Sequence, residues 1–395
     1  MSANVLRDHY LCPQSYILDI PFDADQVIDN LRMERYASTK PGSSLCHQIA
    51  RKIYYGLRPL MGVGIRKHIQ RAYLNGWKDL TFPHWPVDRT VESILESLVM
   101  LSIETGSLKA MPFAWFWPWG SSGCLIMTHD IETATGRDFA PKLADIDASF
   151  GFTPSFQVVP EERYEVTEDF LDSLRARRCE INLHGLNHDD RLFENRQAFR
   201  HRAAKINGYA RRYGAAGFRS PVLYRVLDWF DEFDFSYDMS VPNCGHLDPQ
   251  RGGCCTVMPY FIGNILELPL TMSQDYSIFH FLRQHSIDLW KRQIDLVLEK
   301  HGLISFNVHP DYIIEEPYLS LYHKLLEHLA RVREERNVWS AFPNQVNQWW
   351  RERRNRPEVN ARARIEKGRL VYEIAGSADL GLRSAEWQTF AQHAA

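Results

Sequence analysis

Ionisable residues gather in one short stretch of the sequence, "LIMTHDIET" at residues 125–133. Four apolar or near-apolar residues run directly into His129, Asp130 and Glu132. If the chain stays extended here, Asp130 and Glu132 point the same way because alternate residues of a strand share a face. Two carboxylates on one face can divide two tasks, with one binding a cation and the other moving a proton.

Other apolar segments also end in ionisable residues. "HGLNH" places His184 and His188 four residues apart, "FRSP" contains Arg219, and "NVHP" contains His309. Each signal is weak alone, since a single histidine after a strand is more often structural and the chain has 16 histidines. Their joint occurrence at the ends of successive apolar segments indicates a functional site.

Glu132, His184 and His188 can supply the open ligand set of a catalytic zinc, which consists of two imidazoles and a carboxylate. A divalent ion in such a site lowers the pKa of water toward neutrality. The same ligand set also binds iron(II) in oxygenases, which is one alternative.

The remaining ionisable residues can supply the proton transfers that amide hydrolysis needs. Asp130, two residues from Glu132, is placed to accept a proton from the attacking water. A protonated His309 could give a proton to the leaving nitrogen. Arg219 could keep Asp130 ionised and oriented through a charge-assisted hydrogen bond.

The elements that must position these residues follow a simple alternation between 123 and about 350. Short apolar strands alternate with helical segments, which is typical of a parallel sheet with crossover helices. The predicted strands are 124–130, 153–159, 180–184, 216–220, 235–240, 265–269, 302–309 and a short one near 337–341. The predicted helices are 139–150, 166–177, 192–213, 280–300 and 318–335. This is the element count of a (β/α) barrel, whose catalytic groups collect at the carboxyl ends of the strands.

Two of the predicted strands alternate apolar and polar residues as a barrel requires. The apolar side chains are expected to face the outer helices, namely Ile304, Phe306, Val308, Ile181 and Leu183. The polar side chains are expected to face the barrel interior, namely Ser305, Asn307, His309, Asn182 and His184.

The ordered set T-H-D-x-E, H-x3-H, R-x-P and a late apolar strand ending in His resembles the polysaccharide deacetylases (the NodB-homology, carbohydrate esterase family 4-like family). These are metal-dependent hydrolases on a distorted (β/α) barrel, and the resemblance covers about 120–350. It implies these roles: Asp130 as base, His184 and His188 as metal ligands, Arg219 as base-orienting arginine and His309 as acid. The family's first motif commonly has two adjacent aspartates, the second binding metal, and here that position is Ile131. Some relatives have Asp-x-Asp or Asp-x-Glu, so Glu132 is the natural ligand.

Three further residues are candidates for contact with a substrate. Asp238, in "FSYDMSVPN", could line the site or could be a turn residue at a strand end. Pro221 completes the R-x-P motif. Trp119, in "PFAWFWPWGSSG", could be a sugar-stacking platform, although packing of a rigid connector is the alternative.

The chain is therefore predicted to be an α/β protein with three regions. Residues 1–120 form a mostly helical region ending in a Trp- and Pro-rich connector. Residues 121–355 form a distorted (β/α) barrel of about seven strands, and residues 356–395 form a tail with a β-hairpin around Lys367-Gly368. The hairpin is expected to dock on the barrel or to serve in oligomerisation, and the oligomeric state is left open.

A basic stretch at 44–77 has two interpretations. Its cations lie among apolar residues and comprise Arg51, Lys52, Arg58, Arg66, Lys67 and Arg71. They suit a solvated helix face, or peripheral contact with an anionic membrane or a lipid phosphate.

Composition limits the class of protein. The 395 residues are 45% hydrophobic and 24% charged with a net charge of -3, which disfavours disorder and nucleic-acid binding. The seven cysteines are scattered without C-x-x-C spacing, so reduced thiols are expected. Neither a secretory signal nor a run of 18 apolar residues is evident, so we expect a cytoplasmic protein.

The sequence thus predicts a metal-dependent hydrolase, with zinc as the expected ion. Its expected substrate is an N-acylated, first of all N-acetylated, amino sugar in a glycan or in a lipid-linked or nucleotide-linked precursor. Two alternatives remain open: a deformylase of a lipid-linked amino sugar, and a barrel that binds glycans or scaffolds a complex without catalysis.

Overall fold

The N-terminal region contributes helices and one short strand. The computed structural model describes residues 4–12, 20–38, 76–106 and 108–375. The first elements are α1 (Asn4–Tyr10), α2 (Ala24–Arg32), α3 (Arg35–Ser38), α4 (Thr90–Thr105) and β1 (Met111–Phe113). The basic residues for which membrane contact is predicted lie outside the described residues.

The strands and helices that follow alternate as the sequence predicts. The strands are β2 (Gly123–Asp130), β3 (Ser155–Val158), β4 (Glu180–His184), β5 (Gly217–Arg219), β6 (Tyr237–Asp238), β7 (Tyr260–Ile262), β8 (Ile265–Glu267), β9 (Leu303–Asn307) and β10 (Val338–Ser340). The helices are α5 (Ala134–Ser149), α6 (Glu168–Ala176), α7 (Arg196–Tyr213), α8 (Asp288–Leu298), α9 (Pro310–Ile313), α10 (Tyr318–Glu335) and α11 (Pro343–Asn355). The chain ends its described part with β11 (Ala361–Glu366) and β12 (Arg369–Ile374).

The large sheet curls into a distorted barrel. Its strand order is β10-β2-β3-β4-β5-β6-β8-β7, with β9 beside β2, and every pairing is parallel except that of β7 with β8. The segment after β8 reaches β9 through Thr271, whose hydroxyl donates to the carbonyl of Leu303 at 2.7 Å and accepts from the amide of Ser305 at 3.0 Å. In the described part of the chain, seven parallel strands from β9 through β2 to β8 therefore enclose the barrel interior, and the predicted fold class is confirmed.

Strand β2 has an unusual set of neighbours. Strand β9 pairs with residues 124–128 along one edge. The other edge is shared, with β10 on residues 123–125 and β3 on residues 128–130. The two halves of β2 thus belong to different ladders on that edge.

The predicted alternation of apolar and polar residues is also confirmed. Ile181 and Leu183 of β4, Ile304 and Phe306 of β9, and Leu125 and Met127 of β2 belong to the core beneath the outer helices. The intervening side chains, including Thr128 and Asp130, face the barrel interior and are almost fully buried. The strand ends therefore deliver polar side chains to the inside of the barrel at its carboxyl end.

The opposite end of the barrel is covered by both terminal regions. Strand β1 pairs with β11, which pairs with β12, so the predicted hairpin is formed and docks through the N-terminal region. Its turn has Lys367 at φ 49° and Gly368 at φ 74°, the left-handed conformation of a two-residue hairpin loop. One core cluster includes residues from all three predicted regions, among them Phe113, Ile126 and Ala363. The boundaries at 120 and 355 remain predictions.

Two further properties concern the described ranges only. Within them, none of the helices has both the length and the apolar character needed to cross a bilayer. Their cysteines are free thiols, consistent with the predicted reduced state.

Candidate metal and acid-base site

Strand alternation explains why two carboxylates lie at the end of β2. Ile131 is fully buried in the outer core, and its amide donates to the carbonyl of Gln157 at 3.0 Å, which continues the β2–β3 ladder by one residue. The next residue, Glu132, therefore returns to the inner side together with Asp130. The position directly after Asp130 faces away from the interior, so it cannot supply a ligand there.

His129 is not part of the site. Its Nδ1 lies 2.8 Å from the carbonyl oxygen of Val308, and its Nε2 lies 2.8 Å from Oδ2 of Asp147 on α5. The ring is fully buried on the outer face of the sheet. It joins β2 to the helical layer and has a structural role.

Glu132, His184 and His188 form a compact cluster. One ligand atom from each residue can be chosen such that the three atoms lie within 4.8 Å of one another. His188 Nε2 is 3.1 Å from Glu132 Oε1, and the two imidazole ring centroids are 4.9 Å apart. Strands β2 and β4 and the turns after them therefore bring the three predicted ligands together.

The turn after β4 brings His188 back beside His184. Gly185 has φ +66° and His188 has φ +53°, so the chain reverses through left-handed residues. A Cβ on Gly185 would lie 2.4 Å from Cγ of Pro221, so glycine is required where the turn meets the R-x-P motif. Pro221 thus packs beneath the histidine turn and contributes to its shape.

His184 is prepared to bind a cation. Its Nδ1 lies 3.2 Å from the carbonyl oxygen of Arg219, so Nδ1 carries the proton and donates there. Its Nε2 is buried and has no hydrogen-bond partner among the described residues. Burial lowers the pKa of His184 to about 4, which keeps the ring neutral. A buried, unpartnered imidazole nitrogen beside a carboxylate fits a divalent cation, and mixed nitrogen and oxygen ligands suit zinc.

Asp130 lies beside this cluster as a second, ionised carboxylate. Its Oδ2 accepts a hydrogen bond from Nδ2 of Asn307 at 2.8 Å and lies 3.8 Å from Nε2 of His184. Burial raises the pKa of Asp130, but its electrostatic interactions with His184, Arg219 and His309 outweigh burial and lower the pKa. Its Oδ1 is buried without a hydrogen-bond partner in the described ranges, so this oxygen can accept a proton.

Arg219 contacts Asp130 differently from the prediction. Its Nε is 3.7 Å from Oδ1 of Asp130, which is an ion pair and not the expected hydrogen bond. The reason is that Nη2 of Arg219 donates to Oγ1 of Thr128 at 2.9 Å, which fixes the guanidinium. Arg219 is completely buried, so its charge still acts on Asp130 with little screening.

His309 is held by a carboxylate that follows β8. Its Nδ1 donates to Oδ1 of Asp275 at 2.7 Å, and its amide donates to Oδ2 of the same residue at 2.8 Å. Burial lowers the pKa of His309, but the carboxylates of Asp275, Glu132 and Asp130 outweigh burial and raise it to about 10. The remaining nitrogen, Nε2, lies 4.0 Å from Oε1 of Glu132. A protonated imidazole is thereby oriented toward the cluster, as a general acid requires.

The predicted substrate-contact residues have different positions. Asp238 is buried at the end of β6, where its carboxylate accepts hydrogen bonds from Ser240 and shares one with Glu267. Trp119 is 42% exposed beside Trp339 and precedes the first residue of β2. About 23 Å of strand separates that end of β2 from Asp130. The structure therefore does not bring Trp119 to the site, because its connector lies at the opposite end of the barrel.

Sequence reasoning missed three contributors. Asp275 lies in a loop eight residues after the end of β8, Asn307 is the last residue of β9, and Tyr312 lies one turn after His309. The hydroxyl of Tyr312 donates to Oε2 of Glu132 at 2.9 Å. The general rule that chemistry collects at carboxyl ends of parallel strands could have indicated Asn307. Asp275 and Tyr312 have no comparable signal, since their distances from a strand are not set by its periodicity.

Comparison with known proteins gives matches to solved structures alone. A scan against protein-family models finds no match, and a search of curated proteins finds none. Solved structures do match. A polysaccharide deacetylase from Mycobacterium smegmatis has 16% identity and a TM-score of 0.49, covering 61% of this chain and 94% of that one. Deacetylases are thus among the matching structures.

Two further matching structures are an allantoinase and a domain of a xylanase. The Puue allantoinase has 14% identity and a TM-score of 0.48, over 61% of this chain and 94% of that one. The Xyl-CE4 domain of a xylanase from the hindgut metagenome of Trinervitermes trinervoides has 11% identity and a TM-score of 0.36, over 57% and 90%. Likeness at this level assigns no reaction, so the functional argument rests on the side chains of this chain.

Proposed function

We propose that this protein is a metal-dependent hydrolase that removes an N-acyl group, in the first instance N-acetyl, from an amino sugar of a glycan or glycan precursor. The observation that carries the proposal is the buried Nε2 of His184. It has no hydrogen-bond partner among the described residues and lies in a cluster with Glu132 and His188. A buried polar atom left open costs about 1–3 kcal/mol, so a ligand is the simplest reason for its persistence.

The chain's own residues divide the chemistry of amide hydrolysis among them. When a divalent ion is bound, it polarises the acyl carbonyl and makes water a nucleophile at neutral pH. Asp130, ionised and with Oδ1 open, accepts the proton of the attacking water. His309, oriented by Asp275, gives a proton to the leaving nitrogen so that the amine can depart.

Arg219 and Asn307 keep the base in place during this cycle. Asn307 donates to Oδ2 of Asp130, so Oδ1 is the oxygen that remains for the proton. The guanidinium of Arg219 favours the ionised carboxylate and thereby the state that begins each turnover. Since Asp130 and His309 carry out opposite proton transfers, their environments must hold opposite protonation states, which the lowered pKa of Asp130 and the raised pKa of His309 support.

Metal binding is the first test. Wild-type protein should hold one equivalent of divalent ion, and zinc is the ion we propose. The double variant His184→Ala, His188→Ala should lose it while its circular dichroism spectrum stays that of the wild type. A full equivalent of metal in the folded double variant would remove the site. The variant His129→Gln is a matched control, because His129 faces the helical layer.

Acyl release is the second test. The purified protein is incubated with N-acetylated and N-formylated amino sugars, offered free, nucleotide-linked and lipid-linked, and released acetate or formate is measured by mass spectrometry. Acetate release that requires Asp130 supports the proposal, and formate release would instead favour the deformylase alternative. The cytoplasmic location expected from the sequence would favour a precursor over a mature polymer, as would the predicted membrane contact.

A non-catalytic barrel would give a different experimental result. A protein that binds glycans without releasing acid, and that holds no metal even after metal is added, would support binding or scaffolding. An iron(II) oxygenase would consume oxygen when loaded with iron, whereas the buried acid His309 and the paired Arg219 have no role in that chemistry. Both outcomes would contradict the hydrolase.

A further inference from the structure

Helix α9, which directly follows His309, holds Glu132 at two points. The carboxylate of Asp311 accepts from the amide of Glu132 at 3.0 Å, and it also accepts from the hydroxyl of Thr133. The hydroxyl of Tyr312 donates to Oε2 of Glu132 at 2.9 Å. A Cβ on Gly136 would lie 2.3 Å from Oδ2 of Asp311, so glycine is needed for this close approach. Backbone and side chain of Glu132 are therefore fixed by neighbouring residues of one short helix.

The two oxygens of Glu132 differ in their surroundings. Oε2 is occupied by the hydroxyl of Tyr312. Oε1 lies 3.1 Å from Nε2 of His188 and 4.0 Å from Nε2 of His309, so it faces the other ligands. Only one oxygen of the carboxylate is left to meet a cation at this position.

We propose that Tyr312 is a positioning residue of the metal site, whose hydroxyl holds Oε2 of Glu132 so that Oε1 alone faces the ion. The inference rests on the proposed metal-dependent function. Glu132 lies beyond the end of β2, where no ladder fixes it, and its side chain is 19% exposed. A glutamate has one more rotatable bond than an aspartate, so ordering its side chain costs more conformational entropy. A hydroxyl that orders Oε2 before the ion arrives removes part of that cost.

The ring of Tyr312 has separate contacts that a phenylalanine would keep. Its centroid lies 5.2 Å from those of His309 and Tyr276, and 5.5 Å from that of His280. The variant Tyr312→Phe therefore removes the hydroxyl and preserves the packing. Tyr318→Phe is a matched control, because Tyr318 stacks on Phe279 at 4.7 Å and its hydroxyl makes no hydrogen bond to Glu132.

The test is a Zn²⁺ titration of metal-free protein against a chromophoric chelator. Loss of an orienting partner of a ligand typically costs 10–100-fold in affinity, so Tyr312→Phe should bind Zn²⁺ about 10–100-fold more weakly than wild type. Tyr318→Phe should bind as wild type does. Melting temperatures measured in excess chelator should agree for all three proteins, which excludes a general loss of structure.

A spectroscopic readout tests the number of oxygens that bind. With Co²⁺ as the probe, release of Oε2 in Tyr312→Phe should change the d–d absorption, because a carboxylate that binds through both oxygens raises the coordination number. Unchanged Zn²⁺ affinity and an unchanged Co²⁺ spectrum in Tyr312→Phe would overturn the inference while leaving the metal site intact. Retention of metal by the His184, His188 double variant would instead overturn the proposed function itself.

Discussion

The buried arginines at the two ends of the barrel differ in how many hydrogen bonds their guanidinium groups make. At the end covered by the terminal regions, Arg353 on α11 is 6% exposed, and its Nε and Nη2 donate hydrogen bonds. It donates to three backbone carbonyls, those of His9, Ala114 and Trp115. At the carboxyl end, Arg219 is completely buried, and its Nε and Nη1 have no hydrogen-bond partner among the described residues.

The two arginines differ in role: Arg353 stabilises the fold, and Arg219 belongs to the site of the proposed function. Arg353 joins α1, the connector before β2 and α11, and every bond it makes is internal to the fold. Arg219 belongs to a group of open polar atoms that also includes Oδ1 of Asp130 and Nε2 of His184. Each such atom costs free energy unless a partner arrives, and these three residues lie close together. The bonds of Arg353 close one end of the barrel, and the open atoms near Arg219 lie where we propose that a ligand binds.

The largest expected effect is on turnover at the carboxyl end. Asp130→Asn keeps the size of the side chain and an oxygen for the bond from Asn307, but it cannot accept a proton at Oδ1. Turnover should fall by about 10²–10⁴-fold, the range of a positioned proton transfer, with metal content unchanged. Steady-state acyl release and metal analysis on the same preparation measure both. Near-normal turnover would mean that another residue takes the proton.

Glu132→Gln should impair metal binding, whereas Asp130→Asn should impair proton transfer. It removes an anionic ligand, so metal affinity should fall at least about tenfold, equivalent to about 1.4 kcal/mol. Excess metal should then restore part of the activity, whereas added metal should leave Asp130→Asn inactive. A metal titration of both variants checks this. Wild-type affinity in Glu132→Gln would move the carboxylate ligand to another residue.

At the end covered by the terminal regions the expected effect is on stability. Arg353→Met keeps much of the apolar stem but leaves three buried carbonyls without donors, which should destabilise the fold by about 3–5 kcal/mol. Urea unfolding measures the loss, and turnover per folded molecule at low temperature should equal that of wild type. If Arg353→Met lost turnover without losing stability, the assignment of stability to one end of the barrel and function to the other would be wrong.

The smallest effect concerns a buried acid of the N-terminal region. Glu92 on α4 accepts hydrogen bonds from Thr256 and from the amide of Val257 at 3.2 Å, and burial raises its pKa to about 7. Since the folded state binds this proton more tightly than the unfolded state, the stability it contributes is complete below pH 4.5 and is lost as pH rises through about 7. A rise of this size corresponds to about 3 kcal/mol at most.

Glu92→Gln removes that titration. The stability of the variant relative to wild type should therefore increase between pH 5 and pH 8, and urea unfolding at both values measures the change. Parallel pH dependence in the two proteins would show that Glu92 is ionised in the folded state throughout.

The sequence predicted those parts of the site that follow from strand periodicity. Asp130, His184 and Arg219 are the final residues of β2, β4 and β5, and the rule that catalytic groups collect at the carboxyl ends of parallel strands was enough to indicate them. Glu132 could be predicted because the chain stays extended for two more residues. These placements depend on local repeats, which a single sequence contains.

The parts that could not be predicted depend on contacts between distant segments. Asp275 reaches His309 from a loop whose path is set by packing, and the pairing of β1 with β11 joins residues about 250 positions apart. The position of Trp119 illustrates the same limit. Its composition suits either sugar stacking or packing, and only the direction of β2 shows that it lies at the end away from Asp130.

One edge of β2 pairs with two different strands, and this affects how the hydrogen bonds of β2 can open locally. Because β10 holds residues 123–125 and β3 holds residues 128–130, the edge lacks one continuous ladder between the two ends of the barrel. Detachment of β10 would expose the amides of the first half of β2 on that edge while the β3 ladder beside Asp130 stays closed. Backbone amides on the two halves can therefore exchange with solvent at separate rates. Detachment of β10 can then occur without moving the base.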